Sequence, residues 1–92
     1  MIVSFACSDT QKLFDDLRVK RFFAIEKKAR IKLALLNAIT SLEELTVPPS
    51  NRLELLKGNR AGQYSIRINK QWRICFRFAK QNVYEVEIVD YH

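Results

Sequence analysis

The stretch from Gln63 to Asp90 reads QYSIRINKQWRICFRFAKQNVYEVEIVD, and its apolar and polar residues alternate in three successive runs. This period of two is typical of strands that bury one face and expose the other. The runs cover 63–69, 72–78 and 83–90, and short polar turns separate them. Because short turns join neighbouring antiparallel strands, the stretch predicts a three-strand meander with one apolar and one polar face.

The first half of the chain has the spacing of helices, preceded by a short first strand at 1–5. Ser8 and Gln11 have the form of a capping box, which predicts a helix over about 9–17 with Leu13, Phe14 and Leu17 inward. A longer helix is predicted over about 24–45, before Pro48-Pro49. Its apolar stripe is predicted to comprise Ile31, Leu35, Ala38, Leu42 and Leu45, widened by Ile25, Ala29, Leu33 and Leu36.

These elements predict an α+β fold in which two N-terminal helices pack on one face of a small, mainly antiparallel, twisted sheet. Ninety-two residues provide for one hydrophobic core, so 1–92 is predicted to form a single domain. No apolar run approaches the roughly 20 residues that cross a bilayer, and the N-terminus has no secretory signal pattern. We therefore expect a cytoplasmic protein without a membrane partner, in which Cys7 and Cys75 stay reduced.

The net charge of +6 favours an anionic partner, such as a nucleic acid, an acidic protein or a membrane surface. Arg67, Arg73 and Arg77 project from the polar face of the predicted sheet. Neighbouring strands lie about 4.8 Å apart, so arginines on adjacent strands can converge on one anion. The alternative is a ladder of ion pairs with Glu85 and Glu87, and the sequence leaves both interpretations open.

Two further segments carry candidate site residues. The segment from Leu56 to Gln63 contains two glycines, Lys57 and Arg60; it is either a phosphate-holding loop or an ordinary basic turn. The helical cations Lys27, Lys28 and Arg30 form either a solvated helix face or a grip on an RNA backbone.

The chain ends in Asp90-Tyr91-His92, and His92 is its one histidine. Cleavage of RNA by its own 2′-hydroxyl needs a base, cations on the phosphate and a proton donor for the leaving oxygen. His92 suits either proton role, whereas Tyr91 can act as a base only beside cations, or can stack on a nucleobase. Strict alternation puts these two side chains on opposite faces, and a plain tail is the alternative. The few Cys and His residues lack a zinc spacing, so we expect no metal and no small-molecule cofactor.

With these residues set out, the chain resembles the HigB-type toxins of the RelE/ParE superfamily, the plasmid-maintenance killer family. The resemblance covers essentially the full chain. It rests on 51–54 (NRLE), 56–63 (LKGNRAGQ), 65–69 (SIRIN), 71–76 (QWRICF) and the terminal 86–92 (VEIVDYH).

The resemblance implies a RelE-like fold and a ribosome-dependent, metal-independent mRNA endonuclease that a helix-turn-helix antitoxin neutralises. Its partners would be that antitoxin, the ribosome and mRNA. Glu54 stands where some relatives have a histidine, which removes one candidate for proton transfer. The motif positions tied to catalysis are Lys57, Arg73, Tyr91 and His92, with Asp90 as organiser; Arg60 and Arg67 match less firmly.

Two other functions stay open at this point. The gyrase-inhibiting branch of the superfamily has the same scaffold without catalysis, although the terminal Asp-Tyr-His favours an enzyme. A basic RNA-binding module without any catalysis is the third possibility.

Overall fold

The structure, a computed structural model, describes residues 1–91. It contains two α-helices and one four-stranded sheet, joined by short 3₁₀ helices. The helices are α1 (Ser8–Phe14) and α2 (Glu26–Ala38), and the strands are β1 (Glu54–Leu55), β2 (Tyr64–Arg67), β3 (Trp72–Ala79) and β4 (Asn82–Asp90). The 3₁₀ turns are Lys20–Ile25, Leu42–Thr46, Pro49–Asn51 and Gly58–Arg60. The predicted α+β class is confirmed.

All four strands are antiparallel and lie in the order β1-β2-β3-β4. The predicted first strand is reduced to two isolated parallel bridges, from Ile2 to Val83 and from Phe5 to Val86. The N-terminal segment therefore covers the free side of β4, while the two-residue strand β1 forms the other edge. Strand β1 is too short to leave an alternating pattern, and the sequence did not predict it.

The hydrophobic core lies between the helices and one face of the sheet. Phe22 packs edge-on against Trp72 with ring centroids 5.5 Å apart, which joins the 3₁₀ turn before α2 to the start of β3. Burial of this kind contributes about 25 cal/mol for each Å² of apolar surface removed from water. The fully buried side chains include Leu13, Phe22, Leu33, Leu36, Ile39, Leu45, Ile66, Ile74, Phe76, Val83, Val86 and Ile88.

The predicted second helix is wrong at its C-terminal end, because α2 stops at Ala38. Ser41 and Glu44 form a capping box there and start a separate 3₁₀ turn. The Glu44 carboxylate accepts hydrogen bonds from the backbone nitrogens of Thr40 (2.8 Å) and Ser41 (2.9 Å). These bonds favour the ionised form and hold the pKa of Glu44 below its ordinary value of 4.5.

The apolar stripe of α2 was also centred wrongly. Ala29, Leu33 and Leu36 are completely buried, whereas Ile31 is 60% exposed. In α1, Leu13 is buried as predicted, but Leu17 lies beyond the helix and is exposed. The predicted capping box at Ser8 does not form, because Cys7 occupies the N-cap position without a side-chain bond.

Strand β4 departs from strict alternation at a β-bulge. The register with β3 shifts between Cys75 and Arg77, and Glu85 adopts a left-handed backbone with φ 53°. The extra residue turns Val83 into the core and puts Tyr84 opposite Arg77 on the other face. No helix within residues 1–91 has both the length and the apolar content of a membrane span.

Candidate active site

Arg67 and Arg73 lie directly opposite each other on β2 and β3, on the sheet face that points away from the helices. This face is not open along its whole length. The segment 52–60, which contains the edge strand β1 and which we call the covering segment, contacts this face: Arg52 and Glu54 contact Arg73, and Arg60 reaches Glu87 on β4. Ser65 and Cys75 on the same face are completely buried. The two arginines are therefore found where the covering segment ends.

Arg73 is fixed by the covering segment. Its Nε donates to Ser65 Oγ at 2.9 Å, and its Nη2 donates to the carbonyl oxygen of Arg52 at 2.6 Å. Its Nη1 lies 3.5 Å from Glu54 Oε1, an ion-pair distance that is too long for a good hydrogen bond. The residue is 7% exposed, so the protein holds a nearly buried guanidinium with one nitrogen only loosely engaged. The ion-pair partner of Arg73 is therefore Glu54. On the sequence alone, Glu85 and Glu87 were its possible partners.

Tyr91 lies against Arg73. The guanidinium carbon is 5.5 Å from the centre of the Tyr91 ring, within the range of a cation–π contact. The Tyr91 backbone nitrogen donates to the carbonyl oxygen of Gln71 at 2.5 Å, which continues the pairing of β4 beyond its last strand residue. The structure thus brings together Arg73 and Tyr91, as the sequence predicted for one site.

The other two terminal residues differ. Asp90 stands opposite Trp72, and its Oδ2 accepts a hydrogen bond from Gln71 Nε2 at 3.2 Å, at the edge of the sheet. This places Asp90 beside the turn that follows Asn69. The predicted site residue His92 lies outside the described residues.

A cleft of about 330 Å³ opens at Arg73 and Tyr91. It adjoins a second cleft of about 430 Å³, which runs to α2. The two clefts share Arg67, Asn69 and Lys70. Among residues 1–91, their combined lining contains no acidic residue and includes the cations Lys28, Lys32, Arg52, Arg67, Lys70 and Arg73. The two clefts together form one groove, and its positive charge suits the backbone of a nucleic acid.

Three cations that the sequence assigned to the site are placed outside this groove. Arg77 pairs with Glu85 at 2.5 Å, as the alternative of cross-strand ion pairs describes. Arg60, which was not part of that alternative, pairs with Glu87 at 3.3 Å. Lys57 is exposed at the start of the 3₁₀ turn Gly58–Arg60 and does not line either cleft. Gly62 lies beside them with φ 88°, a left-handed backbone that strains any residue with a side chain, so glycine is favoured there.

The three helical cations predicted to bind RNA lie in different places. Lys28 lines the groove, whereas Lys27 lines a different cleft on the helical side. Arg30 is a structural residue: its Nη1 pairs with Glu26 Oε1 at 2.6 Å, and its Nη2 donates to the carbonyl oxygen of Leu17 at 2.9 Å. The structure does not bring Arg30 to the groove.

Sequence reasoning missed Arg52 and Lys70. Arg52 has a left-handed backbone, with φ 46°, and its carbonyl oxygen holds Arg73. Nothing in the sequence indicates that contact. Lys70 lies in the turn between β2 and β3, and a turn that joins two arginine-bearing strands must lie beside both of them. This signal was available.

Two further observations concern the chemistry of the described residues. No group of three or more Cys, His, Asp and Glu side chains within residues 1–91 is arranged to hold a metal ion. Burial raises the pKa of the Cys75 thiol, which keeps it protonated under the covering segment.

Comparison with known proteins gives consistent matches. Residues 4–92 match the model of a family described as the RelE-like toxin of type II toxin-antitoxin system HigB. The chain is 36% identical to Toxin HigB-1 of Vibrio cholerae over 76 residues, which are 71% of this chain and 80% of that protein. It is 42% identical to Endoribonuclease HigB of Proteus vulgaris over 41 residues, or 45% of each.

Two solved structures share the fold. YafQ from Escherichia coli strain BL21(DE3) superposes with a TM-score of 0.62 at 14% identity, covering 98% of this chain and 93% of that one. The YoeB-YefM complex from Staphylococcus aureus gives 0.55 at 20% identity, covering 100% of this chain and 98% of that one. At these identities the likeness shows the fold alone, and it agrees with the α+β architecture described above.

Proposed function

The chain belongs to the family of HigB toxins, the RelE-like toxins of type II toxin-antitoxin systems, and from this premise we propose that it is an endoribonuclease that cleaves mRNA on the ribosome. The name of the Proteus vulgaris relative, Endoribonuclease HigB, supports the activity. The proposed cellular location is the cytoplasm, where translating ribosomes are found.

One observation carries the proposal. Arg73 lines the cleft with its guanidinium held by Ser65 and Arg52, and the Tyr91 ring lies over it. A guanidinium that is fixed before the substrate arrives needs no reorganisation to stabilise charge in the transition state. It also stays charged at every physiological pH. A phosphate that enters this cleft meets Arg73 and Arg67 on one wall and Lys70 on another.

The proposed reaction is transesterification within the RNA. The ribose 2′-oxygen attacks the adjacent phosphorus, its proton passes to a base, and the new O–P bond forms as the bond to the 5′-oxygen breaks. The departing 5′-oxygen takes a proton from an acid, which leaves a 2′,3′-cyclic phosphate and a 5′-hydroxyl. Arg73 and Arg67 stabilise the extra charge on the phosphorane. Tyr91 and His92 are the proposed proton-transfer groups, with Asp90 supporting the end of β4.

This arrangement explains why activity would require the ribosome. The groove supplies cations and positioning, and none of its lining residues in the part of the chain that the structure describes is a carboxylate that could act as a strong base. The rate then depends on how well the mRNA is aligned for in-line attack, which a ribosome can impose and free RNA lacks. Lys28 and Lys32 would hold the backbone farther along the groove.

The family places the chain in a toxin-antitoxin system, so an antitoxin is its partner. We propose that this antitoxin is a helix-turn-helix protein encoded beside the toxin. Lys57, which the resemblance tied to catalysis, lies outside the groove, and we propose it only as a more distant RNA contact. Arg60 and Arg77 stay proposed RNA contacts of the same kind, although both are paired with glutamates.

The test is cleavage of one mRNA in two states, free and on translating ribosomes. We expect cuts only on the ribosome, with 5′-hydroxyl and cyclic phosphate ends. Lys12→Ala is the matched control, since it removes an exposed cation outside the groove and should leave the rate unchanged. Growth arrest without any cleaved mRNA would instead favour a non-catalytic inhibitor on this scaffold.

A further inference from the structure

A second cleft, of about 580 Å³, lies on the helical side of the protein. Two large apolar side chains line it and are exposed: Phe23 at 67% and Ile31 at 60%. Single exposed apolar residues are ordinary, but two on one cleft of a protein this small are typical of a contact surface. We call this surface the Phe23 cleft; Arg18, Phe23, Ala24, Glu26, Lys27, Arg30 and Ile31 line it.

Local structure explains why these side chains face outward. The 3₁₀ turn Lys20–Ile25 buries Phe22 and Ile25, which leaves Phe23 on the outer side. Helix α2 buries Ala29, Leu33 and Leu36, so Lys27 and Ile31, one turn apart, face away from the core. Neither apolar side chain has a packing role that would account for it.

The charges of the Phe23 cleft are unbalanced. Arg30 and Glu26 pair at 2.6 Å and neutralise each other. Arg18 and Lys27 make no ion pair with any residue in the described range 1–91. The cleft therefore combines two exposed apolar side chains with two unpaired positive charges, which fits a segment that carries both apolar and acidic side chains.

We propose that an acidic amphipathic segment of the antitoxin docks in the Phe23 cleft. Its apolar side chains would cover Phe23 and Ile31, and its carboxylates would pair with Arg18 and Lys27. The inference rests on the proposed function for the identity of the partner. A base could stack on Phe23, but the aliphatic Ile31 beside it offers no second ring, so the apolar pair suits the side chains of a protein better than a run of bases.

The position of the cleft also gives a route to inhibition. Ile31 lines both the Phe23 cleft and the RNA groove. A segment seated on Ile31 would bring its carboxylates next to Lys28, at the end of the groove that leads to Arg67. Bound antitoxin would then repel and obstruct RNA at the groove entrance without covering Arg73.

The test uses full-length toxin and the antitoxin encoded beside it, with affinity measured by titration calorimetry. Phe23→Ser should weaken binding roughly tenfold and Phe23→Asp more, since a buried aromatic anchor is removed and then replaced by a like charge. Cleavage on translating ribosomes without antitoxin should stay within about twofold of wild type. Val3→Asp is the matched control, because Val3 is an exposed apolar residue outside the cleft and should change neither value.

Three results are informative. Unchanged antitoxin affinity in Phe23→Asp, with the fold intact by circular dichroism, would overturn the inference. Lost cleavage with intact antitoxin affinity would also overturn it and would assign the Phe23 cleft to RNA or the ribosome. Weakened antitoxin affinity in a toxin that never cleaves RNA would support the docking surface while rejecting the proposed nuclease.

Discussion

Replacing Arg73 by methionine is the substitution that separates a catalytic guanidinium from a structural one. Methionine keeps much of the volume and removes the charge and all the donors. The lost hydrogen bonds to Ser65 Oγ (2.9 Å) and the Arg52 carbonyl oxygen (2.6 Å) are of the charged kind, each contributing about 1.5–3 kcal/mol. Burying a methionine costs less than burying a guanidinium, which offsets part of this loss. We expect Arg73→Met to lower the free energy of unfolding by about 2–3 kcal/mol.

The rate should fall by more than this instability explains. A domain with at least about 5 kcal/mol of stability stays more than about 95% folded after such a loss. Removing one group that stabilises the transition state lowers a rate by about 10²–10³. Single-turnover cleavage on ribosomes, corrected for the folded fraction from denaturant melts, measures the difference. Arg77→Met is the comparison on the same sheet face. Its exposed pair with Glu85 predicts a loss of stability below about 1 kcal/mol, and because Arg77 lies outside the groove its loss of rate should be far smaller than that of Arg73→Met.

If Arg73→Met cleaves within about threefold of wild type per folded molecule, the arginine merely anchors the segment at Arg52 and the catalytic assignment fails. Arg73→Lys refines the outcome. A lysine keeps the charge without the planar fork, so it should be slower than wild type and faster than methionine.

Four further predictions concern other residues. Arg30→Met should lower the free energy of unfolding by about 2 kcal/mol, because Arg30 joins α2 to the segment that follows α1. The cleavage rate of the folded protein should not change; a lower rate in fully folded protein would show that Arg30 contacts the RNA. Tyr91→Phe keeps the ring over Arg73 but removes the hydroxyl proposed for proton transfer, so it should lower the rate by about 10²-fold. Tyr91→Ala, which also removes the ring, should lower it further in the same assay, and a Tyr91→Phe rate close to wild type would limit Tyr91 to its contact with Arg73. Lys70→Ala should reduce the salt slope of RNA binding by about one, as filter binding can show; an unchanged slope would exclude a phosphate contact. Because the folded protein lowers the pKa of Glu44, its carboxylate stabilises the fold at pH values above the ordinary pKa of 4.5, and this contribution is lost as pH falls through the lower folded pKa. The stability difference between wild type and Glu44→Gln should therefore shrink on acidification and should not grow.

The sheet was predictable because one face of it must pack against helices. Residues 64–68 and 72–78 each alternate without a break, and the register that sets Arg67 opposite Arg73 follows from the turn between their strands. The phase of β4 was not predictable. Its bulge puts a glutamate, Glu85, in a left-handed backbone that favours glycine or asparagine, so the sequence carries no local signal for it.

At the end of α2 the sequence contains two conflicting signals, and the one that was followed gave the wrong helix end. Ser41 and Glu44 have the form of a capping box, yet the apolar spacing that continues to Leu45 favoured one long helix. In the structure the capping box forms, because it satisfies backbone donors at the start of a new 3₁₀ turn. Leu45 lies in that turn and is buried there.

The candidate site could be predicted only in part, for a related reason. Arg73 and Tyr91 come from strands and their continuation, and their closeness follows from strand pairing. The contacts of Arg73 with Arg52 and Glu54 come from an irregular segment, whose path is set by tertiary packing. The pairing of Arg60 and Arg77 with glutamates depends on side-chain geometry that alternation alone leaves open.

The most direct measurement is the structure of this toxin on a ribosome that carries mRNA with a 2′-O-methyl group at the cleavage position, which blocks attack. The account predicts the scissile phosphate about 3 Å from Arg73 Nη1, within hydrogen-bond reach, with Arg67 and Tyr91 on either side of the same linkage. A phosphate bound elsewhere on the surface, with the Arg73 cleft empty of RNA, would contradict it.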